Sequence, residues 1–122
     1  MQEPLICYYM TMPIVNTYYT SDKHKDMVIS HIDEMKMLVA KELTCVDISL
    51  QSSEITLHLI NTPAAGMLAE IELEIFAHPF KERIEKQDKI CMNIRKHILK
   101  NVPDLKDVKV WLVLGELGHS WD

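Results

Sequence analysis

The sequence predicts an α+β fold in which two tandem β-α-β units form a four-stranded mixed sheet with two long helices on one face. Three observations predict it. The chain passes from Pro13-Ile14-Val15 through an amphipathic helix over 22–43 to a strand at 46–50. It then repeats the unit with a strand over 67–76, a helix over 81–101 and a strand over 108–114. Each helix carries a single apolar stripe, which is enough to cover one sheet face and no more.

The elements follow in order. Residues 5–19 are apolar and β-branched or aromatic, with Pro4 and Pro13 as punctuation. They read either as two short strands or as one long edge strand broken at Pro13, because proline cannot donate to a central ladder. Thr20-Ser21-Asp22 opens the first helix with a hydroxyl cap and a carboxylate in its first turn. Val28, Ile32, Met35, Val39 and Leu43 then recur at helical spacing. Val46, Ile48 and Leu50 alternate as in a strand, and beyond Ser52-Ser53 the apolar phase flips to Ile55, Leu57 and Leu59. The segment 61–66 is a loop by its turn residues. Along 67–77 one face is apolar (Met67, Ala69, Ile71, Leu73, Ile75) and the other carries Glu70, Glu72 and Glu74. The second stripe is Ile84, Cys91, Ile94 and Ile98, with Gln87 among them, and Pro103 stops that helix. Val108, Val110, Leu112 and Leu114 make the last strand, ahead of a tail that holds His119 and Trp121.

Length predicts one domain, 1–122, with 1–12 as an N-terminal extension too apolar to remain in water. A chain of this size buries roughly two thirds of its unfolded surface, enough for a core without staples. Composition, with 48% hydrophobic and 25% charged residues, is that of an ordinary globular protein. A net charge of −5 gives no electrostatic support to a nucleic-acid or anionic-membrane partner. No apolar run approaches the ~20 residues of a membrane span. Cys7, Cys45 and Cys91 are odd in number and far apart, as expected of reduced thiols in a cytoplasmic protein. Methionines such as Met27, Met35, Met37 and Met92 read as adaptable core filler.

Two folds suit this order of elements: a ferredoxin-like β-α-β-β-α-β sandwich and the doubled β-α-β of the tautomerases. Met12-Pro13-Ile14-Val15, the cap at Ser21-Asp22 and the long helix resemble the opening of the small tautomerases. Residues 71–76, 85–90 and 107–110 resemble the fused, double-length members. Over about residues 12–121 the chain resembles the superfamily that includes macrophage migration inhibitory factor, closest to a small uncharacterised bacterial group. The resemblance implies a tautomerase-like homotrimer whose active sites lie between subunits. It also implies an amino-terminal proline base, an Arg or Lys that binds a small carboxylated keto or enol acid, and no cofactor. Desolvation would lower the pKa of such a proline amine toward neutrality.

The chain departs from that pattern at the base. Pro13 matches the proline but is internal, so its nitrogen is an amide without a basic lone pair. Gln2 disfavours removal of Met1, so processing at this start is not expected to expose Pro13. Either translation begins at Met12, or the proline base is masked and Pro13 serves only as a strand-start residue. His78 and His119 are the alternative catalytic candidates, as titratable groups at a strand end and in the tail.

Arg83, Lys109, Tyr18, Phe76 and Trp111 are the candidate substrate-binding residues. The simpler reading makes Arg83 a solvated helix charge and the aromatics an oligomer interface. No metal site is expected, since the six histidines show no H-x-x-x-H or H-E-x-x-H spacing. A ring of Glu70, Glu72 and Glu74 around a trimer axis would alter this, but a solvated strand face is the plainer reading. The functional readings are a tautomerase-like enzyme, a non-catalytic trimeric binding protein, and a ferredoxin-like ligand-binding module.

Overall fold

A computed structural model describes residues 13–46, 48–63, 66 and 69–116. The expectations placed on the 1–12 extension, on Met67 and Leu68, and on His119 and Trp121 fall outside the described residues. The elements are β1 (Ile14–Tyr19), α1 (Asp22–Ser30), α2 (Ile32–Leu43), a 3-10 turn (Ser52–Glu54), β2 (Thr56–Asn61), β3 (Ile71–Ala77), α3 (Lys81–Glu85), α4 (Gln87–Asn101) and β4 (Val108–Leu114).

The sheet order is β2-β1-β3-β4. β1 runs parallel to β2, β3 runs parallel to β4, and the antiparallel β1–β3 pair joins the two units. Because β1 and β2 are immediate neighbours, the first β-α-β unit is not split by another strand. The ferredoxin-like alternative, built on a split unit, does not apply.

Burial alternates along the central strands as a one-sided sheet requires. Val15, Thr17 and Tyr19 of β1 and Ile71, Leu73, Ile75 and Ala77 of β3 are buried. Val15 and the four β3 residues form one core with Val28 of α1, Met35, Val39 and Leu43 of α2, and Ile90, Ile94 and Ile98 of α4. Each fully buried aliphatic side chain in that core contributes roughly 1.5–3 kcal/mol. The helices therefore cover one face and leave the other open.

Three expectations change. The helix expected over 22–43 divides at His31, where Ser30 Oγ donates to the Asp26 carbonyl and His31 Nδ1 meets the Met27 carbonyl. Such side-chain bonds to carbonyls four residues back compete with the helical ladder. The helix expected over 81–101 divides at Lys86, whose N–H is shared between the Glu82 and Arg83 carbonyls. That break shifts the stripe, so Ile84 is exposed while Ile90 joins Ile94 and Ile98 in the core.

The strand expected at 46–50 does not form among its described residues. Val46 is 94% exposed, and Cys45 and Ile48 exchange both backbone hydrogen bonds across a tight reversal. The chain regains extended pairing only at Thr56, and Leu57 and Leu59 then pack on the core in the phase the sequence predicts.

The edge strand β4 is tied to the helix layer through its carbonyls. Gln87 Nε2 donates to Leu112 O at 2.8 Å and Arg95 Nε to Val108 O at 2.9 Å. Gln87, an interruption in the apolar pattern of the sequence, is explained by that bond.

Candidate functional site

The register of the central pair assembles one candidate site. Ile14 pairs with Phe76, which sets Pro13 at the level where β3 ends and the chain turns into 78–83. Pro13 is buried, and its carbonyl accepts the Thr56 N–H at 3.1 Å, as suits a residue that starts a strand. Its nitrogen is joined to Met12.

His78, Phe80 and Arg83 cluster directly after β3. The imidazole of His78 packs edge-on against Phe80, with centroids 4.6 Å apart and planes at 66°. His78 Nδ1 is buried and has no hydrogen-bond partner among the described residues. The Arg83 guanidinium carbon lies 4.9 Å from the Phe80 ring centroid, in cation–π range.

Arg83 corrects its reading as a solvated charge, since it is only 1% exposed. Its Nε donates to Leu43 O at 2.9 Å and its Nη1 to His78 O at 3.1 Å, while Nη2 is buried without a partner among the described residues. Burial lowers its pKa from the usual arginine value. The side chain thus clamps the end of α2 to the turn after β3. The sequence held no local signal for this, because the clamp spans forty residues.

The remaining candidates lie on the open face of the sheet, in cross-strand rows set by register. One row is Ile14, Phe76 and Val113; the next is His58, Asn16, Glu74 and Trp111; the third is Ile60, Tyr18, Glu72 and Lys109. A polar chain runs along this face. Tyr18 donates its hydroxyl to Glu74 Oε1 at 2.7 Å, Asn16 Nδ2 donates to the same oxygen at 3.3 Å, and His58 Nδ1 meets Asn16 Oδ1 at 3.0 Å. The hydrogen bond to Glu74 raises the Tyr18 pKa above the ordinary phenol value, with smaller contributions from burial and the Glu74 charge.

Trp111 is 49% exposed and Val113 is exposed beside it. Lys109 Nζ approaches Asp107 at 3.9 Å, a weak surface pair. The sequence reading missed Asn16, His58 and the engagement of Glu74. Period-two alternation on either side of Tyr18 was the available signal.

The structure therefore divides the sequence candidates. Pro13, His78 and Arg83 share one end of the sheet, whereas Tyr18, Lys109 and Trp111 lie along its open face and Phe76 stands where the two meet. No group of three His, Cys, Asp or Glu side chains among the described residues could hold a metal ion. No helix among them is long and apolar enough to cross a membrane.

Compared by sequence, the chain matches no family model and no curated protein. Its fold does match solved structures. A protein of unknown function from Vibrio cholerae is 18% identical over 94% of this chain and 87% of its own, with a TM-score of 0.56. Malonate semialdehyde decarboxylase is 13% identical over 84% of each chain, with a TM-score of 0.61. A fused 4-OT, an asymmetric trimer, is 10% identical over 87% of this chain and 91% of its own, with a TM-score of 0.55. At such identities the likeness is one of fold. With its adjacent parallel β1–β2 and β3–β4 pairs, joined antiparallel and backed by helices on one side, this chain has the fold of the tautomerase superfamily.

Proposed function

We propose that this protein is a tautomerase-like isomerase of small carboxylated keto or enol acids, with Pro13 as a base masked by the residues before it. The observation that carries the reading is the β1–β3 register, which sets Pro13 beside the turn holding His78, Phe80 and Arg83. As an amide, the Pro13 nitrogen has no basic lone pair. Freed as an amino-terminal secondary amine in this buried position, it would favour its neutral form and accept a proton from carbon near neutral pH.

Arg83 is committed to two backbone carbonyls and is assigned to holding the turn. Tyr18, Phe76, Lys109 and Trp111 line the open face that a neighbouring subunit would close over substrate. Proton transfer of this kind needs no cofactor or metal. A homotrimer is supported by the exposed Trp111 and Val113 on that face and by the trimeric 4-OT match. A cytoplasmic location is supported by Cys45 and Cys91, both free thiols.

The test is keto–enol tautomerisation of phenylpyruvate by two forms, the full chain and a chain beginning at Pro13. The full chain should stay near background, and the shorter one should gain about 10²–10⁴ in rate and lose it on Pro13→Ala. Intact mass of the protein from its native host identifies which form exists there, and light scattering reads the trimer. Robust activity of the full chain would transfer the base to His78 or His119. Inactivity of both forms would favour a second reading, a non-catalytic binding protein, which the anchoring of Arg83 supports.

A further inference from the structure

A cleft of about 250 Å³ opens between the end of α2 and the start of α3 and α4, lined by Lys41, Thr44, Cys45, Arg83, Lys86 and Lys89 among others. Neither Pro13 nor any residue of the sheet lines it. Its charge runs against the chain as a whole. Four cations face two carboxylates, Glu42 and Glu82, in a protein of net charge −5.

Both carboxylates are already engaged. Glu42 Oε1 accepts from Asn93 Nδ2 at 3.0 Å. Glu82 takes the Val46 N–H on Oε1 at 2.8 Å and Lys86 Nζ on Oε2 at 3.2 Å. The bond from Val46 is the first cause of a lowered Glu82 pKa, so that carboxylate stays ionised and occupied. Lys41 and Lys89 have no ion-pair partner among the described residues.

Arg83 also lines the cleft and is nearly fully buried, with Nη2 unpartnered among the described residues. An unpartnered N–H of a buried cation is costly, and a guanidinium edge matches an oxyanion. We propose that this cleft binds a small oxyanion, the phosphate or carboxylate group of a metabolite, with Arg83 Nη2 as the innermost donor and Lys41 and Lys89 as the charged rim. Ligand pockets for drug-sized molecules run about 300–1,000 Å³, so the cleft suits a head group or a small acid rather than a large cofactor. For an anion to reach Nη2 the rim must rearrange. The exposed Lys86–Glu82 pair is the kind of contact that opens at little cost. The site is independent of the masked-proline reading.

The experiment is an amide NMR titration of the full chain with inorganic phosphate and, separately, with malonate, at constant ionic strength. Saturable shifts should appear at residues 41–45 and 82–90. The double variant Lys41→Gln/Lys89→Gln, altered only on the rim and checked for folding by the same spectra, should weaken binding several-fold. Arg83→Lys should weaken it further, and if that variant fails to fold, the double variant carries the test alone. Response to phosphate only, or to malonate only, identifies the source of the oxyanion; either supports the site. Shifts that never saturate, that centre on Ile14 and the open sheet face, or that persist unchanged in the double variant would overturn it. Tautomerase activity plays no part in the readout, so failure here leaves the Pro13 proposal standing, and the reverse.

Discussion

The two ends of the sheet are finished in opposite ways. Where β1 ends and β3 begins, polar groups are consumed by one another. Glu70 Oε1 accepts the N–H groups of Lys106 at 2.7 Å and Asp107 at 3.1 Å, and Oε2 meets His24 Nε2 at 3.3 Å. His24 Nδ1 in turn meets Ser21 Oγ, which also accepts the His24 N–H and so caps α1. At the opposite end, where β1 begins and β3 stops, Arg83 Nη2 and His78 Nδ1 are buried with nothing to bond among the described residues. Closure at the first end holds the entry to α1 and the entry to β4 against the sheet. Unsatisfied polar atoms at the second cost stability, and buried groups of that kind call for a ligand or a function to explain them.

The largest effect is expected where the open end is anchored. Arg83→Met removes the donors to Leu43 O and His78 O, leaving the Leu43 carbonyl without its side-chain donor and the His78 carbonyl with the Phe80 N–H alone. Losing buried partners of this sort costs about 2–5 kcal/mol in urea unfolding, even with the aliphatic volume kept. A loss under about 1 kcal/mol would show that the guanidinium is not a structural clamp, and the contrast between the ends would weaken.

The closed end answers to acid. Hydrogen bonding from the Lys106 amide is the first cause of a lowered Glu70 pKa, aided by Asp107 and His24 and opposed by burial. Because the folded value lies below the ordinary 4.5, the carboxylate's contribution is present above that pH. It is lost as pH falls through the folded value. Glu70→Gln should cost about 1 kcal/mol at neutral pH, a modest figure because the side chain is one-third exposed. The same variant should flatten the acid limb of stability against pH. An unchanged acid limb would mean that other carboxylates set the acid response.

Much of the fold was legible because it rests on periodicity. The alternation around Ile71, Leu73 and Ile75 and the stripe through Val28, Met35, Val39 and Leu43 are local patterns, and burial follows them. The Ser21 cap was legible for the same reason. Helix breaks at His31 and Lys86 were not, since neither Gly nor Pro marks them and side-chain or shared backbone bonds make them. The false strand at 46–50 shows that alternation over five residues also fits an irregular reversal in which, among the described residues, Leu50 alone is buried. At the candidate site, proximity of Pro13 to the turn after β3 depends on strand pairing, and the burial of Arg83 on a carbonyl in another helix. Pairings of that range leave no trace in local spacing.

The smallest effect tests whether the open face belongs with the closed end or the open one. Tyr18 pairs with Glu72 one residue from the closed end, yet its hydroxyl reaches diagonally to Glu74 in the middle row. Tyr18→Phe removes that hydrogen bond while keeping the ring, and should cost about 0.5–1.5 kcal/mol in a dilute monomer. The raised phenol pKa gives a second readout, since its first-named cause is the bond to Glu74. Absorbance titration should place Tyr18 above the ordinary 10.0, and Glu74→Gln should bring it back toward that value. A raised folded value means that the bond's stabilising contribution is whole below the unfolded pKa and fades as pH climbs through the folded one. If subunits close over this face, water leaves the Tyr18–Glu74–Asn16–His58 chain and the hydrogen bonds strengthen. The cost of Tyr18→Phe should then rise with protein concentration. A cost independent of concentration would leave the chain as surface trim on a monomer, and the open face would lose its claim to line a shared site.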